Sequence, residues 1–332
     1  MPTRAVPPTS ASELSADEVA RFVRDLAALA DPDARVLVAV SGGPDSLALL
    51  LLAHAALGTR CHAATVDHGL RPEATDEAKW VAHLCAARGI DHAILTAPLP
   101  DRAGRTANVS ARARALRYRL LEYHADAIGA GVIATAHHAD DQLETLIMRL
   151  NRGAGVAGLA GVRARVGRII RPLLGWRHAE LVALVAEHGI AAIDDPSNVS
   201  DRFDRARLRK ALGRIDWLDI DRVGASARAL GDAEDAIAWM VRRLEVEVCR
   251  HDADGSTIAA GDLPFEVRRR LLERCVARLD PGAELRGGAV ADAVHLLDTG
   301  QATMLGDVLC TPRHPETGLE YCFSAAPPRR TG

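Results

Sequence analysis

The sequence predicts an α/β fold, a parallel sheet with helices on both faces followed by a smaller, mainly helical domain. Three observations predict it. Short apolar runs alternate with helix-spaced segments between Val36 and Ala136, and a glycine-rich turn joins the first run to an apolar helix. Past Leu212 the pattern changes to long helical stripes broken by proline and glycine. Strand-to-helix alternation supplies the crossover that parallel strands need and places helices over the sheet.

The elements follow in order. The first twelve residues are rich in proline, serine and threonine and read as a frayed tail, so residues 1–30 are taken as a tail and a first helix. Strands are expected at Val36–Val40, Cys61–Val66, His92–Thr96 and Val132–Ala136. Leu47–Leu57 reads as the helix after the first strand. In Glu73–Arg88 the apolar residues Ala74, Ala78, Val81 and Cys85 recur at steps of four and three, as do Val109, Ala113, Leu116 and Leu120. Residues 31–215 therefore form one unit, with any ligand at the carboxyl ends of its strands. Residues 216–332 form the second, built on a long stripe within Arg222–Val248 and helices near Val267–Leu279 and Ala289–Leu297, separated by Pro264 and Pro281-Gly282.

Bulk properties narrow the classes. A chain of 332 residues exceeds one ordinary core, and 48% hydrophobic with 26% charged residues is the balance of a globular protein. The six cysteines never form a Cys-x-x-Cys pair, which reads as buried thiols in a reducing cytosol without a zinc or iron–sulfur site. No apolar run reaches membrane-spanning length, so a cytoplasmic protein without a membrane partner is expected. Aromatics at 3% exclude an extensive base-stacking platform, and the net charge of -3 gives no overall nucleic-acid signature. Arginines nevertheless cluster at Arg112–Arg119, Arg163–Arg171 and Arg202–Arg214, where guanidinium can grip phosphate bidentately or simply solvate a surface. Nothing in the sequence indicates an oligomeric state.

The chemistry centres on Ser41-Gly-Gly-Pro-Asp-Ser46, which follows the first strand directly. Glycines let backbone approach an anion, and successive N–H groups with a helix start form a phosphate nest, so Ser41, Gly42, Gly43, Pro44, Asp45 and Ser46 are candidate nucleotide ligands. No Gly-Lys-Ser/Thr follows, which separates the loop from a Walker loop. Asp45 would repel bare phosphate, so its presence suggests a bridging Mg²⁺. The bland alternative is a plain glycine turn.

With this hexapeptide the sequence resembles the N-type ATP pyrophosphatases. Further segments narrow the resemblance: Thr65-Val-Asp-His-Gly-Leu-Arg71, Asn108–Tyr118, Thr135-Ala-His-His-Ala-Asp-Asp-Gln-Leu-Glu-Thr145, Asn151–Leu159, Arg171-Pro-Leu-Leu174 and Asp195-Pro-Ser-Asn198 with Phe203 and Arg205. In this order they look like the tRNA(Ile)-lysidine synthetases, over Val36 to Leu212 strongly and over the tail weakly. The resemblance implies an adenine nucleotide alpha hydrolase-like fold and a tRNA-binding second domain. It also implies a reaction: the wobble cytidine of tRNA(Ile) with a CAU anticodon is adenylated by ATP, and free L-lysine displaces AMP.

That chemistry assigns expected roles. Charge gathering on the α-phosphate and pyrophosphate calls for backbone donors, Mg²⁺ and arginine, giving the loop, Asp45 and Asp141 as metal candidates, and Arg114. His138, Asp141 and Glu144 recur at steps of three along one side of a helix; the resemblance marks His138, Asp141 and Arg205 as catalytic and His68 and Arg71 as adenosine contacts. Asp140, or Asp141 with Glu144, fits a helix cap equally well, and Asp195–Asn198 fits a turn. Two departures weaken the transfer: Ala206 where the family has asparagine, and Ser110 where it has glutamate. A tRNA thiolase, an amide-forming synthetase and a non-catalytic nucleotide-binding module are the rival readings.

Overall fold

A computed structural model describes residues 14–67, 69, 72–96, 109–193, 204–213, 215–285, 287–316 and 318–326. Strand β1 (Val36–Ala39) sets the layering: Val36 and Val38 face one apolar core and Leu37 the other, as period-two alternation requires. Strands β2 (Cys61–Asp67), β3 (Asp91–Thr96), β4 (Val132–Ala134), β5 (Arg165–Val166) and β6 (Ile169–Ile170) complete a six-stranded sheet of order β3-β2-β1-β4-β6-β5. All pairs are parallel except the β5–β6 hairpin at one edge. Four strands fall where the alternation predicted; the hairpin is an addition, two residues long on each side. Because the chain proceeds from β1 outward to β3 and returns to β4 on the other side of β1, the sheet reverses its order between β1 and β4. Crevices at the carboxyl ends of strands at such a reversal receive ligands.

Helix α1 (Ala16–Ala27) starts at Ser15, whose side chain and backbone exchange hydrogen bonds with Glu18. Its Phe22 and Leu26 enter the core shared with α2 (Pro44–Leu57), α3 (Pro72–Ala87) and α7 (His178–Glu187). The central piece is α2, buried without interruption from Ser46 through Ala53. Each of its fully buried leucines contributes about 1.5–3 kcal/mol of transfer free energy. Helix α4 (Val109–Ala127) covers the opposite face, with Leu121 and Ala125 against Leu37, Ala64 and Ile133. Helices α5 (Ala139–Leu150), α6 (Val156–Leu159) and α8 (Asp204–Leu212) follow β4, and α8 packs on α5.

The chain divides into two compact units, Met1–Gly231 and Asp232–Gly332, the division falling inside the 29-residue helix α9 (Ile220–Val248). The second unit contains α10 (Phe265–Leu279) and α11 (Gly287–Asp298), close to their expected ranges. It also holds a five-stranded antiparallel sheet, order β7-β8-β11-β10-β9, made of β7 (Cys249–His251), β8 (Gly255–Ala259), β9 (Thr303–Leu305), β10 (Val308–Arg313) and β11 (Glu320–Ala325). Leu271, Leu272, Val294, Val308, Tyr321 and Phe323 close its core. The sheet is an addition to the helical reading of this region, although helix still outweighs strand.

Candidate active site

Residues 41–46 form the turn after β1 and the first turn of α2, and one position in it requires glycine. Gly42 has φ +87°, a conformation L side chains rarely adopt, and an added Cβ would meet the Ile193 side chain. The Gly42 carbonyl accepts the Ile193 N–H at 2.9 Å. Gly43 caps α2, Pro44 takes the first helical position, and the buried Ser46 hydroxyl accepts the Ser41 N–H at 3.1 Å while donating to the Gly43 carbonyl at 2.9 Å. The N–H groups of Asp45 and Ser46 belong to the first turn, which an α-helix leaves without intrahelical partners, so they are oriented for an anion.

Asp45, in that first turn, meets residues from two other helix starts. His138 is the N-cap of α5 and His178 the first residue of α7. His178 Nδ1 lies 2.8 Å from Asp45 Oδ1, and His138 Nε2 lies 3.6 Å from Asp45 Oδ2. The two imidazoles stack with centroids 5.2 Å apart. His138 is almost completely buried and flanked by carboxylates: Asp141 Oδ2 stands 3.5 Å from Nε2 and Asp140 Oδ2 3.5 Å from Nδ1. Asp141 also accepts the His138 backbone N–H at 3.2 Å, and Asp140 accepts the His178 N–H at 2.8 Å. Asp140 is thus a cap, but of α7 rather than of its own helix.

Burial opposes charge on His138, but Asp140, Asp45 and Asp141 outweigh it and push the imidazole up to about 10. Burial likewise acts to raise Asp45, and its polar contacts with His138 and His178 reverse this, holding the carboxyl below the ordinary range. Asp140 sits at about 2, burial again being outweighed by His138 and the His178 N–H. His138 is therefore a fixed cation among three carboxylates. Next to it, burial brings His137 down to about 4, with Arg171, Arg114 and Arg205 acting in the same direction against Asp141. His137 is a neutral ring 3.1 Å from Thr135 Oγ1.

One turn into α5, the buried Glu144 carboxylate receives two arginines from α8: Arg205 Nε at 2.9 Å and Arg209 Nε at 2.6 Å. Arg205 also donates to Thr145 Oγ1 at 3.1 Å. Ala206, between them, is buried. Arg114 is exposed on α4 with its guanidinium 5.1 Å from the Tyr118 ring, on the His137 side of the cluster and not in the contacts made by Asp45.

The structure thus brings together the loop, Asp45, His138 and Asp141. It docks Arg205 on Glu144 and leaves Arg114 alongside. His68, Arg71, Asn108 and Asp195–Asn198 lie outside the described residues. Sequence reasoning missed His178, which carries no motif signal; its partner is 133 residues away. Asp45, His138 and His178 offer ligand atoms within 4.8 Å of one another, a mixed oxygen and nitrogen set. The two imidazoles face Asp45 in hydrogen-bonding or ion-pair contact, so the oxygen donors suited to a hard cation are Asp45 and Asp141, which converge on one nitrogen, His138 Nε2.

The PP-loop domain family matches residues 12–215. A tRNA(Ile)-lysidine synthase of Novosphingobium aromaticivorans is 45% identical over 319 residues, covering 94% of both chains. One of Zymomonas mobilis is 36% identical over 301 residues, covering 88% of this chain and 89% of its own. Among solved structures, the U34-tRNA thiolase NcsA from Methanococcus maripaludis superposes with a TM-score of 0.54 at 19% identity, over 65% of this chain and 79% of that one. At that identity the likeness concerns the fold.

Proposed function

This chain belongs to the tRNA(Ile)-lysidine synthase family of PP-loop proteins, and we propose that it ligates free L-lysine to C2 of the wobble cytidine of tRNA(Ile) with a CAU anticodon. ATP adenylates the cytidine, pyrophosphate leaves, and the lysine ε-amine displaces AMP. The observation that carries the reading is the meeting of Asp45, His138 and Asp141 at the end of the Ser41–Ser46 loop. That arrangement puts anion-binding N–H groups beside a carboxylate cluster at the sheet's order reversal.

Each residue then has a physical task. The loop N–H groups hold the polyphosphate where charge develops as pyrophosphate departs. Asp45 and Asp141 share one protonated ring, His138, so these two carboxylates would repel a bare polyphosphate. Asp45 and Asp141 fit Mg²⁺, which when bound would neutralise charge on the phosphates. The neighbouring carboxylates favour the protonated form of His138, which helps keep Asp45 ionised and holds Asp141 in place. Arg114 stands ready for phosphate or RNA backbone, and Arg205 reaches the site through Glu144. As a tRNA-modifying enzyme the protein would act in the cytoplasm. Among the described residues no helix is long and apolar enough to cross a membrane.

Sulfur delivery is disfavoured. The first unit's cysteines, Cys61 and Cys85, are buried, and burial pushes both thiols up to about 12, so neither is a thiolate near neutrality. The test mixes the full chain with ATP, labelled lysine and tRNA(Ile) bearing the CAU anticodon. Label on RNA, with nucleoside mass increased by lysine less water, is expected; ATP cleavage that leaves the RNA unlabelled refutes the lysine reading.

A further inference from the structure

Asp45 has two carboxylate oxygens and, among the described residues, one short hydrogen bond. Its Oδ2 faces His138 at 3.6 Å, beyond hydrogen-bonding length, whereas its Oδ1 takes the His178 Nδ1 at 2.8 Å. Both side chains are partly open to solvent, 27% for Asp45 and 42% for His178, so the bond between them, and not burial, holds Asp45 Oδ1. Without that bond the Asp45 side chain could turn away from the loop. His178 is held through its backbone, one ring face and its helix. Its N–H is held by Asp140, its ring stacks on His138, and α7 buries Leu181, Leu184 and Val185 in the core shared with α2.

We propose that His178 is a positioning residue: it transmits the placement of α7 to the Asp45 carboxylate and so sets the aim of the one acidic group in the phosphate loop. It touches no substrate and acts through Asp45. The inference rests on the function proposed above insofar as Asp45 serves adenylation. An imidazole donating through Nδ1 presents a hydrogen close to its own backbone, and an asparagine amide reaches a similar point. Phenylalanine keeps a ring that can stack on His138 but donates nothing.

The test follows pyrophosphate release by the full chain with ATP, Mg²⁺ and tRNA, for wild type, His178→Ala, His178→Phe and His178→Asn, each normalised to folded protein by thermal melting. His178→Ala and His178→Phe are expected to lower kcat by about 10- to 100-fold, the scale for a misaimed catalytic group, with KM for tRNA unchanged. His178→Asn is expected to recover most of the rate. Should His178→Phe match wild type, the hydrogen bond does nothing and the proposal falls. It falls equally if Asn rescues no better than Ala, or if kcat per folded molecule is unchanged in all three. Wild type that releases pyrophosphate but leaves lysine off the RNA sinks the lysine reading alone, whereas wild type that releases none sinks both.

Discussion

Removing Glu144 should cost less than removing its two partners, although the same two ion pairs are lost in each case. Glu144 is 2% exposed, while the side chains of Arg205 and Arg209 are 47% and 44% exposed. In Glu144→Ala both guanidiniums can turn to water, and two half-exposed charged bonds are lost, about 1–2 kcal/mol in all. In the double variant Arg205→Ala/Arg209→Ala the carboxylate stays in the interior without compensation, at about 3–5 kcal/mol. Adding Glu144→Ala to that double variant removes the stranded charge, so the triple variant should be more stable than the double. Urea denaturation of the four proteins at one pH, with matched slopes, measures the series. The reasoning is refuted if Glu144→Ala is as destabilising as the double variant, or if the triple variant is the least stable of all.

Asp45→Asn should abolish release of AMP and pyrophosphate while tRNA affinity, read by filter binding, survives, because it removes the loop's charge and leaves the arginine clusters intact; retained turnover would take Asp45 out of the mechanism. His138 is raised when folded, from 6.5 to about 10, so its stabilisation is complete below about pH 6.5 and is lost as pH rises through about 10. The urea midpoint of wild type should therefore decline over that window, and His138→Asn should show a shallower decline. His92 moves the other way: burial first, then His124, bring it down to about 4, and it contacts Thr65 Oγ1 at 2.9 Å. Its contribution is present above about pH 6.5 and lost as pH falls towards 4, so melting temperatures at pH 7 and pH 4.5 should converge in His92→Gln relative to wild type.

The first unit was legible because its signals are local. Val36 to Val40 and the glycines after it declare a strand and a phosphate turn within ten residues, and the spacing of His138, Asp141 and Glu144 needs only helical periodicity. His178 was not legible, since nothing near it distinguishes a ring facing Asp45 from one facing solvent. Asp140 illustrates the same limit: its sequence position suggested a cap, but not that it would cap a helix 38 residues on. In the second unit, Val308 and Cys310 do alternate, but Pro312 interrupts the run, and β7 continues directly from α9 without a breaker. Strands three to six residues long gain their stability from partners far along the chain, which propensity does not record. Arg209, in a basic run that the sequence left open between gripping phosphate and solvating a surface, is engaged by Glu144, so part of that run serves the docking of α8.

Helix α2 is apolar around its whole circumference and wedged between the sheet and two helices, so it can neither roll nor slide without opening voids on every side. The loop at its tip is consequently a fixed muzzle, and under the proposed function the direction in which a nucleotide's leaving group departs would be set once for the protein's lifetime. Any divergence towards a different acceptor has to be written into what surrounds that muzzle, the starts of α5 and α7 and the arginines of α8, where single exchanges can change the chemistry without disturbing the rod behind it.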